Sequence, residues 1–314
     1  MSETCLITGG AGFIGSHLVR YLLRETDWKI VVLDKMTYAA EEGRRLDPVK
    51  CGRLIICPFP ISPLSTWEWI PAPHYIVHLA AETHVEYSIA YPEPFIESNV
   101  FGTYEILRYA QNLAGFKKFL YFSTDEVFGE GLDEGEPHHE WARYNCSSPY
   151  SASKAAGEEL TLAWARTYGV PAVISHCCNV IGPDQHLEKF LPKLIDKIRR
   201  KEKVILHVDR NNIPGWRMYI HVEDVCRAIH LLLLKGAVRE KYNIPGVPVN
   251  NLDMAQHVAD ILDETLYYEL RYPEERPGWD FSYCIEGTKL QDLGWGQAPG
   301  FMAQLEQVVK NAVP

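Results

Sequence analysis

The sequence lacks a long apolar segment, a basic leader and an excess of positive charge. Its longest run of leucines, Leu231 to Leu234, is far shorter than the roughly 20 apolar residues that span a bilayer. Residues 1–4 show no basic or apolar signal region, so we expect a cytoplasmic protein. The net charge of −10 disfavours nucleic acid or an anionic membrane as a partner.

The eight cysteines also lack a pattern, since none forms a Cys-x-x-Cys pair. Metal sites and disulfide frameworks in small secreted proteins show regular cysteine spacing. We therefore expect reduced thiols and no metal. The chain of 314 residues is 46% hydrophobic, which is enough for one large domain and a smaller one.

A complete βαβ unit is predicted at the start of the chain. Residues 4–8 read as a buried strand, residues 16–23 carry apolar side chains at helical spacing, and a second strand at 30–33 ends at Asp34. Such a unit belongs to the α/β class of folds, with a parallel sheet.

The turn between the first strand and the helix contains Gly10, Gly12 and Gly15 in the dinucleotide-binding pattern. Glycines let the backbone approach a pyrophosphate, and the helix N-terminus supplies N–H groups and a positive dipole end. Asp34 is placed to bind the adenosine ribose and to repel a 2′-phosphate. The pattern therefore predicts NAD rather than NADP, although the adjacent Lys35 weakens that preference.

Strands and helices continue to alternate along the chain, as expected for an α/β fold. Ala80 and Ala81 end a predicted strand, where small side chains let a cofactor lie close, and Asn99 lies on a predicted helix from which it could reach that cofactor. The predicted segments are strands at 54–57, 75–81, 119–122, 173–178 and 242–244, and helices at 94–113 and 150–168.

A polar cluster, Ser123-Thr124-Asp125-Glu126, follows the strand at 119–122. Ligands bind beyond the carboxyl ends of strands in open α/β sheets. Two adjacent carboxyl groups can differ in pKa and act as separate acid and base. On these four residues alone, a solvated acidic turn is the preferred interpretation.

Tyr150 and Lys154 lie four residues apart at the start of a predicted helix, so they share one face. An ammonium beside a phenol, whose ordinary pKa is about 10, favours the phenolate. Together with a cationic nicotinamide, Lys154 could make Tyr150 a base near neutral pH.

These motifs together resemble the extended short-chain dehydrogenase/reductase family, and they are most similar to its nucleotide-sugar 4,6-dehydratases. The resemblance implies a Rossmann-type doubly wound parallel sheet with a smaller C-terminal α/β substrate domain. The implied boundaries are 1–181 with 219–243 for the NAD-binding domain and 182–218 with 244–314 for the substrate domain. It also implies a nucleoside-diphosphate sugar as substrate and a homodimer formed through a four-helix bundle.

The resemblance further implies roles for individual residues. The catalytic set would be Thr124, Asp125, Glu126, Tyr150 and Lys154. The NAD contacts would come from Gly9, Gly12, Phe13, Ile14, Gly15, Asp34, Lys35, Thr37, Ala80, Ala81, Asn99, Tyr150 and Lys154. The substrate contacts would come from Thr83, Thr124, Asn179, Lys189, Arg217, Asn251 and Arg276. The sequence by itself says only that two carboxylates are present.

Five positions depart from the pattern of these dehydratases: Pro60, Tyr87, Phe128, Val180 and Trp279. The resemblance therefore does not identify the nucleotide base. Two other functions stay open at this point. One is an NAD enzyme that stops at oxidation of C4, such as a 4-epimerase. The other is a protein that binds NAD and a nucleotide sugar but has lost the chemistry.

Overall fold

The computed structural model describes residues 2–40, 46, 51–61, 70–130, 136–273 and 280–312. Of the helices described there, none has both the length and the apolar character needed to cross a bilayer. The strands are β1 (Thr4–Thr8), β2 (Lys29–Leu33), β3 (Leu54–Cys57), β4 (Tyr75–His78), β5 (Lys118–Thr124), β6 (Ala172–Cys177), β7 (Asn179–Ile181), β8 (Val204–His207), β9 (Trp216–His221), β10 (Lys241–Ile244), β11 (Val247–Asn250) and β12 (Tyr268–Arg271). The helices are α1 (Phe13–Glu25), α2 (Val85–Ala90), α3 (Glu93–Phe95), α4 (Gly102–Gln111), α5 (Pro149–Thr167), α6 (Phe190–Arg199), α7 (Val222–Lys235), α8 (Asn251–Leu262), α9 (Thr288–Asp292) and α10 (Phe301–Asn311).

Seven strands form one parallel sheet in the order β3-β2-β1-β4-β5-β6-β10. Strands β1, β4 and β6 are buried along their whole length, as expected where helices cover both faces. Side chains of α1 and α7 pack on one face, and those of α4 and α5 pack on the other. This is the doubly wound order, and the predicted fold class is confirmed. Its switch point lies between β1 and β4, where a ligand crevice is expected.

The C-terminal part adds two small sheets, β11-β9-β7 and β12-β8, with α6, α8 and α10 packed around a separate apolar core. Helix α7 contacts α1, and β10 joins the large sheet, so the chain returns to the first unit after β9. This return supports the proposed boundaries at 182–218 and 244–314, which stay a prediction.

Two elements differ from the sequence expectation. The predicted helix at 94–113 is divided into α3, a π-helical segment (Ile96–Phe101) and α4. Strand β4 ends at His78 because the backbone beyond it bonds elsewhere: the Ala80 N–H donates to the Thr8 hydroxyl at 3.3 Å. The Glu82 N–H donates to the Asn99 side chain at 2.8 Å. Both differences lie at the carboxyl edge of the sheet, beside the crevice.

Candidate active site

A cavity of about 820 Å³ opens at the carboxyl ends of the large sheet and extends to the smaller C-terminal unit. It brings together most of the residues singled out in the sequence. Those that line it are Gly9, Gly12, Phe13, Ile14, Gly15, Asp34, Lys35, Thr37, Ala80, Ala81, Thr83, Thr124, Glu126, Tyr150, Lys154, Asn179, Lys189, Arg217 and Asn251.

The glycine turn forms one end of this cavity. Gly9 has φ +69°, and a Cβ on it would lie 2.7 Å from the Ala80 backbone nitrogen, so β1 and β4 approach closely there. Helix α1 begins after Gly12 without a side-chain cap, which leaves its first N–H groups for a ligand. A close backbone approach and an uncapped helix N-terminus fit a pyrophosphate.

Gly15 gives a first testable prediction. A Cβ at this position would lie 2.2 Å from the Gly9 carbonyl oxygen and 2.7 Å from Gly10 Cα, and neither backbone atom can move aside cheaply. We expect Gly15→Ala to lower the NAD content of the purified protein at least about tenfold and to destabilise it by about 1–3 kcal/mol. Gly296→Ala is the control, because nothing lies within 4 Å of its Cβ. Equal NAD content in the two variants would contradict the assignment.

Asp34 lies at the end of β2 with only 9% of its surface exposed. Its carboxylate accepts hydrogen bonds from the Ala11 N–H at 3.0 Å and the Met36 N–H at 2.9 Å. Each oxygen keeps a lone pair for a ribose hydroxyl. The neighbouring Lys35 pairs with Glu82 at 2.7 Å, so its charge is partly compensated inside the site. Because Glu82 partly neutralises Lys35, the pairing supports the predicted preference for NAD over NADP.

Asn99 does not line the cavity, contrary to the expected cofactor contact. Its side chain is buried, donates to the Glu82 carbonyl at 3.0 Å and donates to the Ser153 hydroxyl at 2.8 Å. The π-helical segment that contains it is a type of distortion often found at functional sites. Asn99 therefore ties the loop after β4 to α5, and we now propose a positioning role for it.

Thr124 and the two acids form a tight turn at the end of β5. The Thr124 hydroxyl accepts from the Glu126 N–H at 3.3 Å and lies 3.2 Å from Asp125 Oδ1. It also bonds to the Tyr150 hydroxyl. The acids then diverge: Glu126 lines the cavity, whereas Asp125 is buried next to it with 2% exposure. The turn therefore gives two adjacent carboxyl groups different surroundings.

Asp125 is held near its protonated form. Burial and the Glu126 charge raise its pKa to about 7, against the opposing effect of Arg217. Its Oδ2 atom is buried and has no hydrogen-bond partner within the described part of the chain. A carboxyl group in such surroundings keeps a proton near neutral pH and can donate it.

This pKa predicts a pH-dependent loss of stability. The pKa of Asp125 is higher in the folded protein than in the unfolded chain. The contribution of this carboxyl group to the free energy of unfolding is therefore fully present below pH 4 and is lost progressively until the pH passes 7. Between pH 5 and pH 8 we expect the wild type to lose about 2–3 kcal/mol more unfolding free energy than Asp125→Asn, measured by urea denaturation. Parallel curves for the two proteins would contradict the raised pKa.

The Tyr150–Lys154 pair lies on one face of α5, as predicted. Burial and the Glu126 charge raise the pKa of Tyr150, and the Thr124 hydrogen bond only partly opposes this. Burial also lowers the pKa of Lys154 to about 7. The Lys154 ammonium donates to the Phe122 carbonyl at 2.7 Å. The raised pKa is that of the protein without its cofactor, so the expectation that Lys154 and a cationic nicotinamide together make Tyr150 a base stays a prediction.

The residues expected to hold the substrate lie at the other end of the cavity. The Lys189 ammonium donates to the Thr83 hydroxyl at 3.0 Å and to its carbonyl at 3.1 Å. The Arg217 guanidinium lies 4.4 Å from the Tyr283 ring centroid and donates to three backbone carbonyls, those of Trp216, Asp280 and Phe281. Arg276 and Trp279 lie outside the described residues.

The structure adds lining residues that the sequence did not indicate. Phe59 and Ile61 follow β3 at the same sheet edge as Asp34, and Tyr38 lies edge-on to His186 at 5.4 Å. The rule that ligands bind at carboxyl strand ends would have indicated Phe59, since β3 ends at Cys57. No local signal indicates the Tyr38–His186 pair, because it joins distant parts of the chain.

The sheet order and the glycine-lined cavity define a dinucleotide-binding protein of the Rossmann class. The comparison with protein families agrees over most of the sequence. The chain belongs to the NAD dependent epimerase/dehydratase family, which residues 5–245 match.

Individual relatives show which members of this family the chain is similar to. A dTDP-glucose 4,6-dehydratase of Haemophilus influenzae is 37% identical over 97% of this chain and 96% of its own. The crystal structure of a dTDP-glucose 4,6-dehydratase from Streptomyces venezuelae, with NAD and dTDP bound, superposes with a TM-score of 0.89, 34% identity and coverage of 98% and 96%. A UDP-glucose 4-epimerase from Thermotoga maritima reaches a TM-score of 0.87 at 26% identity, with coverage of 98% and 97%.

Proposed function

We propose that the protein is an NAD-dependent nucleotide-sugar 4,6-dehydratase that converts a nucleoside-diphosphate hexose, dTDP-glucose or UDP-glucose, into its 4-keto-6-deoxy derivative. One observation carries the proposal: a buried acid with a pKa of about 7, Asp125, adjoins a second acid, Glu126, that faces the cavity beside Tyr150. A 4-epimerase needs proton transfer only at O4, whereas elimination of water also needs a base and an acid.

The cofactor would be held by the glycine turn, Asp34 and the alanines after β4, and when bound it accepts hydride from C4 and returns it to C6. Tyr150, bonded to the Thr124 hydroxyl, takes the proton from the sugar O4. The resulting 4-ketone acidifies the C5 proton, which Glu126 removes. Asp125 protonates the departing C6 hydroxyl, which leaves as water. Glu126 returns its proton to C5 when hydride adds at C6, and Asp125 regains a proton from solvent as Tyr150 releases the O4 proton to solvent. The net change is loss of one water.

The nucleotide diphosphate would be bound by Lys189, Arg217 and Arg276, with Thr83, Asn179 and Asn251 around the sugar and its phosphates. Arg217 is fixed by its backbone acceptors, so it offers its remaining N–H donors from a rigid position. Lys189 would exchange its hydrogen bonds with Thr83 for bonds to phosphate oxygens.

The test offers dTDP-glucose and UDP-glucose separately to the purified protein and follows the product by mass spectrometry. We expect loss of one water with at least one of them, and the preferred nucleotide identifies the base. An epimerised sugar of unchanged mass, or no product in the presence of bound NAD, would overturn the proposal.

We further propose a homodimer that acts in the cytoplasm. All eight cysteines are free thiols, which supports a reducing compartment. Helices α4 and α5 are joined by the Tyr104–Trp164 ring contact, and apolar side chains beside them are exposed: Ile96 by 42%, Phe101 by 61% and Tyr168 by 52%. Such a patch is typical of an interface.

Phe101→Asp tests the dimer. A carboxylate at the centre of an apolar interface is strongly unfavourable. We expect the wild type to have twice the mass of one chain in light scattering and the variant to have half of that. Tyr267→Asp, which changes a ring that is 52% exposed in the C-terminal unit, serves as the control. A wild type with the mass of one chain would exclude the dimer.

A further inference from the structure

Glu158 is a buried carboxylate that the reaction above does not use. It lies on α5 one turn beyond Lys154 and has no exposed surface. Its Oε1 accepts from the Ser123 hydroxyl at 2.5 Å, and its Oε2 accepts from the Tyr144 hydroxyl at 2.5 Å. The Lys241 ammonium lies 3.3 Å from the same Oε2. A carboxylate this well anchored is held in one position.

His176 is a further partner of the Glu158 carboxylate. Its Nε2 lies 2.9 Å from the carboxylate, and its Nδ1 lies 2.9 Å from the Asn243 side-chain oxygen. The Asn243 amide nitrogen donates to the His138 carbonyl at 2.9 Å, which fixes the orientation of the amide. Both ring nitrogens of His176 therefore face acceptor oxygens, which fixes the ring beside the carboxylate. Burial raises the pKa of Glu158, but its contacts with His176, Lys241 and Ser123 outweigh burial and lower that pKa to about 2, so Glu158 stays ionised.

The anchored carboxylate lies one helical turn from Lys154 on α5. Glu158 and Lys154 are four residues apart on α5, and consecutive residues of β5 bind them, since Phe122 accepts from Lys154 and Ser123 donates to Glu158. Burial lowers the pKa of Lys154 to about 7, and the Glu158 charge is the influence that raises it.

The other groups described around Lys154 are neutral, so they cannot take the place of the negative charge of Glu158. From β5, the Tyr121 ring centroid lies 4.4 Å from the ammonium, and burial keeps the pKa of that phenol well above its ordinary value. From β4, His78 is neutral, because burial and Lys154 lower its pKa to about 3. On α5 itself, Tyr150 is also neutral, with a raised pKa.

We propose that Glu158 is a positioning residue for the reaction, whose anchored carboxylate keeps Lys154 an ammonium at the Phe122 carbonyl, one helical turn from Tyr150. This inference rests on the proposed function for its kinetic consequence. With Lys154 neutral, the phenol of Tyr150 loses the cation on its own helix face, and taking the O4 proton becomes harder.

Three variants separate this role from a general effect on folding. Glu158→Gln keeps the shape and removes the charge. Lys241→Met removes a buried charge from the same cluster but leaves the carboxylate beside Lys154. The double variant Glu158→Gln/Lys241→Met restores the charge balance, so it stays folded if Glu158→Gln alone leaves too many buried cations.

The measurement is a pH titration of ¹³Cε-labelled lysines by NMR, with the Lys154 signal assigned by its absence in Lys154→Met. We expect the Lys154 midpoint to fall by about one pH unit or more in Glu158→Gln and in the double variant, and not to fall in Lys241→Met. In parallel, kcat of both Glu158 variants should drop about tenfold at pH 8 and much less at pH 6.5, with KM unchanged.

An unchanged Lys154 midpoint, or a loss of kcat that is equal at all pH values, would overturn the positioning role. The titration does not depend on turnover. A wild type that fails to make the keto sugar would therefore count against the proposed function alone, while the lysine midpoints still decide the role of Glu158.

Discussion

Replacing Tyr150 by phenylalanine is expected to lower kcat roughly 10²–10⁴-fold, because the phenol oxygen is the group that takes the O4 proton. The substitution removes one oxygen and preserves packing, since the ring lies edge-on to Phe95 at 6.3 Å. It also removes the hydrogen bond between the phenol and the Thr124 hydroxyl. Bound NAD and the unfolding free energy should change little, so the effect lies in the chemical step.

Steady-state assays with the better of the two substrates check this result. Tyr91→Phe is the control, because Tyr91 is 57% exposed and lies outside the cavity. A Tyr150→Phe protein that keeps more than about a tenth of wild-type kcat would remove Tyr150 from the proposed mechanism.

The second large effect concerns Asp125 and Glu126, which should block the reaction at different points. Both Asp125→Asn and Glu126→Gln are expected to lower water loss by about 10²-fold or more. The two variants differ in the step of the reaction that they can still perform. Without Glu126 the C5 proton stays in place, whereas without Asp125 it can still be removed but the C6 hydroxyl leaves poorly.

Exchange of the C5 proton with deuterium oxide separates the two variants. We expect recovered sugar nucleotide to gain deuterium at C5 with Asp125→Asn and to gain none with Glu126→Gln. Glu97→Gln, an acid of the same cavity with no proposed role, should behave as wild type. Fast C5 exchange in Glu126→Gln would assign the base to another group.

Local sequence patterns predicted the first half of the fold well. The strand at 4–8 and the strand end at Asp34 match β1 and β2, because buried parallel strands are continuous apolar runs bounded by turn residues. The glycine pattern predicted the strand-to-helix turn, and a local pattern can do so because the atoms that crowd Gly15 belong to Gly9 and Gly10.

Features that depend on distant contacts could not be predicted in this way. The spacing of Tyr150 and Lys154 gave their shared helix face but not the Phe122 carbonyl that holds Lys154. The adjacency of Asp125 and Glu126 did not show which of them is buried. Asn99 is buried in a π-helical segment, a distortion that apolar periodicity does not encode.

In the proposed reaction, a hydride leaves C4 and returns to C6 of the same sugar while water is lost. The most direct test incubates dTDP-glucose labelled with deuterium at C4 and analyses the product by NMR and mass spectrometry. We expect a product that has lost one water and carries the deuterium at C6. A product of unchanged mass, or one that has lost water without deuterium at C6, would contradict the proposed reaction.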